Sequence, residues 1–284
     1  METFADRVTL LQAESARIKQ YLHSLPPDAW DRPSACTQWQ VRDVVAHLVG
    51  VAEVYANFIA RGIQGDHAPP PGWLPAGRGS AMAGAARTAQ HSIAARERLG
   101  EQLLAAYDAA DAQLNRVLAG LRPQDRAQPC YLSGGLVPAQ HFIELRLKEL
   151  AIHEWDIRSR LEPNAQVSPT SLPAIMTTIA GSMASGSIPW AFWPGPRLPA
   201  PVRYRFVVTG PVPYRTTLVV AGDRVDLEET GDAAVDVTFH CETETFVLLL
   251  YGRLTLKTAL DTGRVAVEGN RSLAMAYSQW FKGT

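Results

Sequence analysis

The chain has 284 residues, of which 46% are hydrophobic and 19% charged, with a formal net charge of −1. So small a net charge gives no electrostatic argument for nucleic acid or an anionic membrane as partner. Three cysteines (Cys36, Cys130 and Cys241) lie far apart with no Cys-x-x-Cys spacing; this argues against a zinc ribbon, a thioredoxin motif or a disulfide framework, and points to a reduced, cytoplasmic setting.

The length exceeds one domain at roughly 150 residues each, so two are expected. The opening "METFADRVTL" carries an acid early and lacks the basic-then-apolar pattern of a signal peptide. The longest apolar runs, such as Phe246–Tyr251, fall well short of the ~20 residues of a transmembrane helix. Apolar residues at helical spacing predict a first helix over 4–24. A second should begin near Gln40 and run to about Arg61, with Asp43 at the acidic position of a capping box. Gln40 is a poor cap by type, so Thr37 could share that role. The stretch "GDHAPPPGWLPAGRG" (65–79) is too rich in proline and glycine to be anything but loop. A third, alanine-rich helix is expected over 81–121 and a fourth over 138–159. Four helices of this length suggest a bundle, with the long second connection hanging over one end.

The character changes after Pro163. A further helix is expected over 169–184, then a proline- and tryptophan-rich crossing, "IPWAFWPGPRLPAP". "VRYRFVVTG" and "YRTTLVVAGDRVDLEE" alternate as strands do, with Gly222-Asp223 as a hairpin turn. Further strands are expected over 233–241 and 264–269, short helices over 243–250 and 254–260, and a closing helix over 272–281. The reading is therefore α+β: a helical domain over 1–163 and a small α+β domain over 164–284.

One helix carries the chemistry. In "LKELAIHEWDIR" (147–158), Glu149 and His153 stand four residues apart. On a helical wheel both fall in the arc of Phe142, Leu145, Leu150, Ile152 and Ile157, which should face the core. An unpartnered ionisable group there costs several kcal/mol, of order ~3–5; a divalent cation would compensate, and bundle metal sites use this spacing. His47 lies at the edge of the apolar arc of the second helix (Val44, Leu48, Val51, Val54, Tyr55, Phe58) and is the natural third ligand. Two histidines and one glutamate leave an open coordination position, as catalytic zinc sites do. Asp43 could orient His47 and Asp156 could orient His153; Arg146 could neutralise acidic excess or meet a substrate carboxylate. The plainer alternatives are a satisfied core histidine for His47 and a solvated helical charge pair for Glu149 and His153. His141 and Glu144 are weaker ligand candidates, while His23, His67, His91 and His240 lack ligand context. Cys36 stands just before the second helix, where a helix N-terminus would favour a thiolate; a plain buried thiol is the alternative.

"TQWQVRDVVAHLVG" (37–50) and "RLKELAIHEWDI" (146–157) resemble the two signatures of the mycothiol-dependent maleylpyruvate isomerase family, within the DinB-like metalloenzymes. His47, Glu149 and His153 fall on that family's metal ligands, the last two within its E-x-x-x-H-x-x-D pattern. "DVTFHCETETFVLLLYGRLTLKTALDTGRVAVEGN" (236–270) is similar to the sterol-carrier-like domain that follows in many such proteins. Gln40 departs from the Ser or Thr common there, which touches helix capping and not the metal. The resemblance implies a DinB-like four-helix bundle holding a divalent metal, zinc or also nickel, and mycothiol as cosubstrate. The metal-bound thiolate would add to an electrophilic carbon, giving cis–trans isomerisation or an S-conjugate. Trp73 and Arg78 in the 65–79 loop, Arg146, and Arg253 in "YGRLT" become substrate-binding candidates, and Trp190 and Trp193 could line an apolar pocket. The competing readings are a thiol-independent metal-dependent lyase, hydrolase or cyclase, and a non-catalytic small-molecule-binding protein. Neither composition nor motif specifies the substrate or the oligomeric state.

Overall fold

Strong start signals and helical apolar spacing make the first half of the chain helical in the computed structural model, which describes residues 3–76, 81–184, 191–228 and 234–282. Helix α1 (Phe4–Ser24) opens with a capping box, in which the Thr3 hydroxyl accepts the Asp6 N–H and the Asp6 carboxylate accepts the Thr3 N–H. Helix α2 (Val41–Gly62) is capped by Gln40 itself, whose N–H donates to the Asp43 carboxylate at 2.9 Å. The expected single helix over 81–121 is two: α3 (Ala81–Leu99) and α4 (Leu103–Ala119), separated by a short 3₁₀ turn. Gly100 stands at the break with φ +51°, which a continuous right-handed helix cannot hold. A two-strand ribbon, β1 (Pro129–Cys130) with β2 (Val137–Pro138), precedes α5 (Phe142–Arg158).

Helices α1, α2, α4 and α5 form the bundle, and α3 lies on α2. Helix α2 is, among the described residues, the one helix long and apolar enough to cross a membrane. That differs from the expectation that no segment is long enough; yet Val44, Leu48, Tyr55 and Phe58 are buried in the bundle core.

Helix α5 also departs from a one-faced wheel, because it is buried on nearly every side. It can be so because each buried charge has a partner: Glu144 with Arg7, Arg146 with Asp111, Glu154 with Arg17, Asp156 with His153. The compact units divide between Ala174 and Ile175, within α6 (Leu172–Ala184), whereas the composition changes at 163. The intervening segment is tied to the first unit by Thr170 and Ser171, whose hydroxyls donate to the buried Glu14 carboxylate at 2.9 and 3.1 Å.

The second unit is a five-stranded sheet of order β5-β4-β3-β6-β7. Its strands are β3 (Val202–Thr209), β4 (Tyr214–Val220), β5 (Val225–Glu228), β6 (Val237–Glu242) and β7 (Val265–Gly269). All neighbours are antiparallel except β3 and β6, where Phe206 stands opposite Phe239 in a parallel pair. The β4–β5 hairpin turns at Gly222, φ +94°, as expected. Helices α7 (Thr243–Leu250), α8 (Leu256–Asp261) and α9 (Arg271–Ala276) follow the expected order, and α7 and α9 cover one face. Alternation places Tyr204 and Phe206 inward on β3, where they meet Phe239, Phe246 and Tyr277.

Candidate functional site

Helices α2 and α5 bring three donor side chains together. His47 Nε2 stands 3.2 Å from Glu149 Oε2, and His153 Nε2 stands 3.4 Å from the same oxygen. One donor atom from each residue lies within 4.8 Å of the others. The two imidazole rings meet edge to face, with centroids 4.6 Å apart. The i, i+4 spacing of Glu149 and His153 produces one half of this geometry, and His47 supplies the other across the helix pair. Their side chains keep 14, 11 and 12% exposure, so the cluster is not fully sealed from solvent.

The electrostatics fit a cation. Burial pushes His47 below the ordinary imidazole value, more than its hydrogen bond to Glu149 raises it, and leaves a neutral ring with a lone pair. Burial alone would raise Glu149, but Lys148, His153 and His47 hold it well below the ordinary carboxylate value. Burial would likewise lower His153, yet its bonds to Asp156, Cys36 and Glu149 prevail and hold it well above. A carboxylate, a neutral imidazole and an imidazole that must give up a proton form a donor set suited to a borderline divalent ion.

The outer partners only partly follow the expected pattern. Asp156 is fully buried and its Oδ2 accepts from His153 Nδ1 at 2.9 Å, which leaves Nε2 facing Glu149. Asp43 does not orient His47: its carboxylate caps α2 and pairs with Arg96 at 3.1 Å. Position 43 faces the helix start, where its charge is already used. Arg146 is also not a substrate ligand. It is wholly buried, donating to the Leu48 carbonyl at 3.1 Å and to Asp111 at 2.9 Å. Trp73 packs against Phe58 and Tyr131, with the Arg87 guanidinium 5.8 Å from its ring. Phe58 lies roughly 16 Å beyond His47 along the α2 axis at 1.5 Å per residue, so Trp73 contacts the far part of that face. There a cleft of about 210 Å³ is lined by Glu53, Val54, Asn57, Phe58, Pro70 and Trp73. Arg253 belongs to the second unit and donates to the Tyr251 carbonyl at 3.3 Å. Arg78 and Trp190 lie outside the described residues. Trp193 is tied by its backbone N–H to the Trp280 carbonyl, at 2.8 Å.

Of the residues set aside on sequence, Glu144 pairs with Arg7 and His23 with Asp108, and His240 stands 3.4 Å from Glu268. Two site residues escaped the sequence reading. Trp39 holds its ring 5.3 Å from His47 and 6.3 Å from His153, closing one side of the cluster. Lys148 reaches Glu149 Oε1 at 3.1 Å. Trp39 sits in a loop, which has no periodicity to aim it, and consecutive helix positions do not normally face each other. The nearest signal was Trp39 lying within the motif at 37–50.

Residues 11–158 match the family model described as mycothiol maleylpyruvate isomerase N-terminal domain. Residues 201–282 match that of the SCP-2 sterol transfer family. Among solved structures, a mycothiol-dependent maleylpyruvate isomerase is 16% identical, with 94% of this chain and 96% of that one covered and a TM-score of 0.61. A histidine-to-alanine mutant of an enzyme of that name gives 15% identity with the same coverage and TM-score. Identity at this level shows a shared fold. A sterol carrier protein 2 like 2 from Aedes aegypti covers 38% of this chain and 92% of its own at 17% identity, with a TM-score of only 0.25. No curated protein matches significantly. With more than half its length on the first family model, the chain belongs to the mycothiol maleylpyruvate isomerase family of enzymes, its N-terminal domain followed by one of the SCP-2 sterol transfer family.

Proposed function

We propose that this protein is a divalent-metal enzyme that activates a low-molecular-weight thiol, mycothiol, for addition to an electrophilic small molecule, with isomerisation or S-conjugation as the outcome. The observation that carries this reading is the convergence of two imidazole Nε2 atoms on one Glu149 oxygen, in a cluster that keeps a little solvent exposure. His47, Glu149 and His153 would hold the ion, zinc or nickel. When bound, such an ion lowers the pKa of a coordinated thiol, so that thiolate exists near neutral pH.

The chain's own residues prepare that chemistry. Asp156 keeps the His153 proton on Nδ1 and so leaves Nε2 as a donor. Glu149 contributes the negative charge, and Lys148 steadies its second oxygen. Trp39 walls the two imidazoles against bulk water on its side. Among the described residues of this cluster no Ser–His pair is present, and the reading needs no covalent nucleophile from the protein.

The test is the metal content of tag-free protein beside His47→Ala, Glu149→Ala and His153→Ala, followed by turnover with and without mycothiol. The expected result is near-stoichiometric zinc or nickel in wild type, lost in each variant, and activity only with thiol. Wild type that takes up no metal on reconstitution would sink the reading. Turnover indifferent to thiol would replace it with a metal-dependent lyase, hydrolase or cyclase.

A further inference from the structure

The loop before α2 carries a feature that the metal reading does not use. Residues 33–40 form a tight turn bridged at Pro33 and Gln40. The Ser34 hydroxyl donates to the Trp39 carbonyl at 3.0 Å and accepts the Cys36 N–H at 3.2 Å. Gln38 takes φ +69°, the one positive φ outside glycine among the described residues, a conformation that costs free energy and is kept where the surroundings demand it. The Ala35 N–H donates to the Asp156 carbonyl at 2.8 Å and fastens the turn to the last part of α5. The result is a buried thiol aimed at a buried carboxylate: Cys36 Sγ stands 3.0 Å from Asp156 Oδ2. That same oxygen accepts from His153 Nδ1 at 2.9 Å, while Sγ and Nδ1 are 3.9 Å apart.

We infer that Cys36 is a positioning residue for the metal site: its thiol donates to Asp156 and holds that carboxylate on His153 Nδ1, so that Nε2 stays the metal-binding nitrogen. This rests on the metal reading above. A carboxylate with no exposed surface gains from each donor it accepts, and a second donor on Oδ2 narrows the directions that oxygen can take. Outer partners of ligating histidines set ring orientation in this way. The other chemistry open to these three residues is a second metal held by Cys36, Asp156 and His153 Nδ1. It would require the thiol and both imidazole nitrogens to lose their protons beside a buried carboxylate. The hydrogen-bonded arrangement satisfies the same three groups without that cost.

Zinc is titrated into metal-free, full-length protein against a chromophoric chelator, for wild type, Cys36→Ala and Cys36→Ser. The thermal midpoint of each metal-free protein is measured alongside. Cys36→Ala should weaken zinc binding by about 10- to 100-fold. Cys36→Ser should recover most of the affinity, because a hydroxyl also donates, and the metal-free midpoints of the two variants should agree. Unchanged affinity in Cys36→Ala would overturn the inference. So would equal loss in both variants, which is packing, or a second zinc equivalent in wild type that vanishes in Cys36→Ala, which would make Cys36 a ligand. A wild type that binds no zinc would instead remove the metal reading, and this inference with it.

Discussion

Two arginines and a glutamate show how this chain uses charge at the scale of single residues. Arg146, a candidate for a substrate carboxylate by its charge, holds Asp111 in the bundle interior. Removing one partner of a buried pair strands the other charge. Arg146→Ala should therefore lower unfolding stability by about 3–5 kcal/mol, read by urea denaturation. Arg146→Met combined with Asp111→Leu should cost less than Arg146→Ala alone. Glu14 works differently, at the joint between α1 and the segment before α6. Burial alone would raise its carboxyl, but bonds from Arg17, Ser168 and Thr170 hold it below the ordinary glutamate value of 4.5. A depressed folded value means that the stabilisation is present above 4.5 and is lost as pH falls through the folded value. Glu14→Gln should cost about 1–2 kcal/mol at neutral pH, with the gap to wild type closing as pH is lowered below 4.5. A gap that stays constant across that range in pH-dependent melts would show that the charge contributes nothing.

Among the elements, α2 carries both a tight constraint and clear slack. A methyl group at Gly62 would stand 2.3 Å from Cys130 Sγ and 2.8 Å from the Pro129 carbonyl, where the helix end meets the β1–β2 ribbon. Gly62→Ala should destabilise by about 1–3 kcal/mol through overpacking. Gly50, mid-helix, has nothing within 4 Å of that position. Gly50→Ala should therefore stabilise by about 0.5–1 kcal/mol through backbone entropy alone. Thermal melts of the two variants should move in opposite directions; a shared direction would refute the packing account. The sequence reading erred most on α3 and α4, because a single Leu99-Gly100 step in an alanine-rich run is a weak break by propensity. Gly100 takes φ +51° there, a conformation glycine holds at little cost but that ends a right-handed helix.

For the whole molecule, the division at Ala174 and Ile175 leaves every donor of the candidate metal site in the first unit, which has its own hydrophobic core. A fragment of residues 1–174 should fold and take up zinc with the stoichiometry of the full chain, checked by metal analysis of the purified fragment. A fragment that folds but binds no zinc would mean that the second unit completes the site. The second unit has a separate aromatic core around Phe206, Phe239 and Tyr277, built by strand alternation.

The amino-acid sequence by itself determined the helix-then-sheet order, most element boundaries and the pairing of Glu149 with His153. Those properties follow from local periodicity, from turn residues such as Gly222, and from i, i+4 spacing, all set within a few residues. Tertiary structure decided what local pattern cannot carry. It placed His47 against Glu149 across two helices, turned Asp43 and Arg146 inward to structural partners, and brought Trp39 and Cys36 to His153 from a loop. Each of these depends on which groups meet once the helices have packed. Buried charges and loop side chains take the partners that packing leaves within reach, and sequence spacing does not encode that distance.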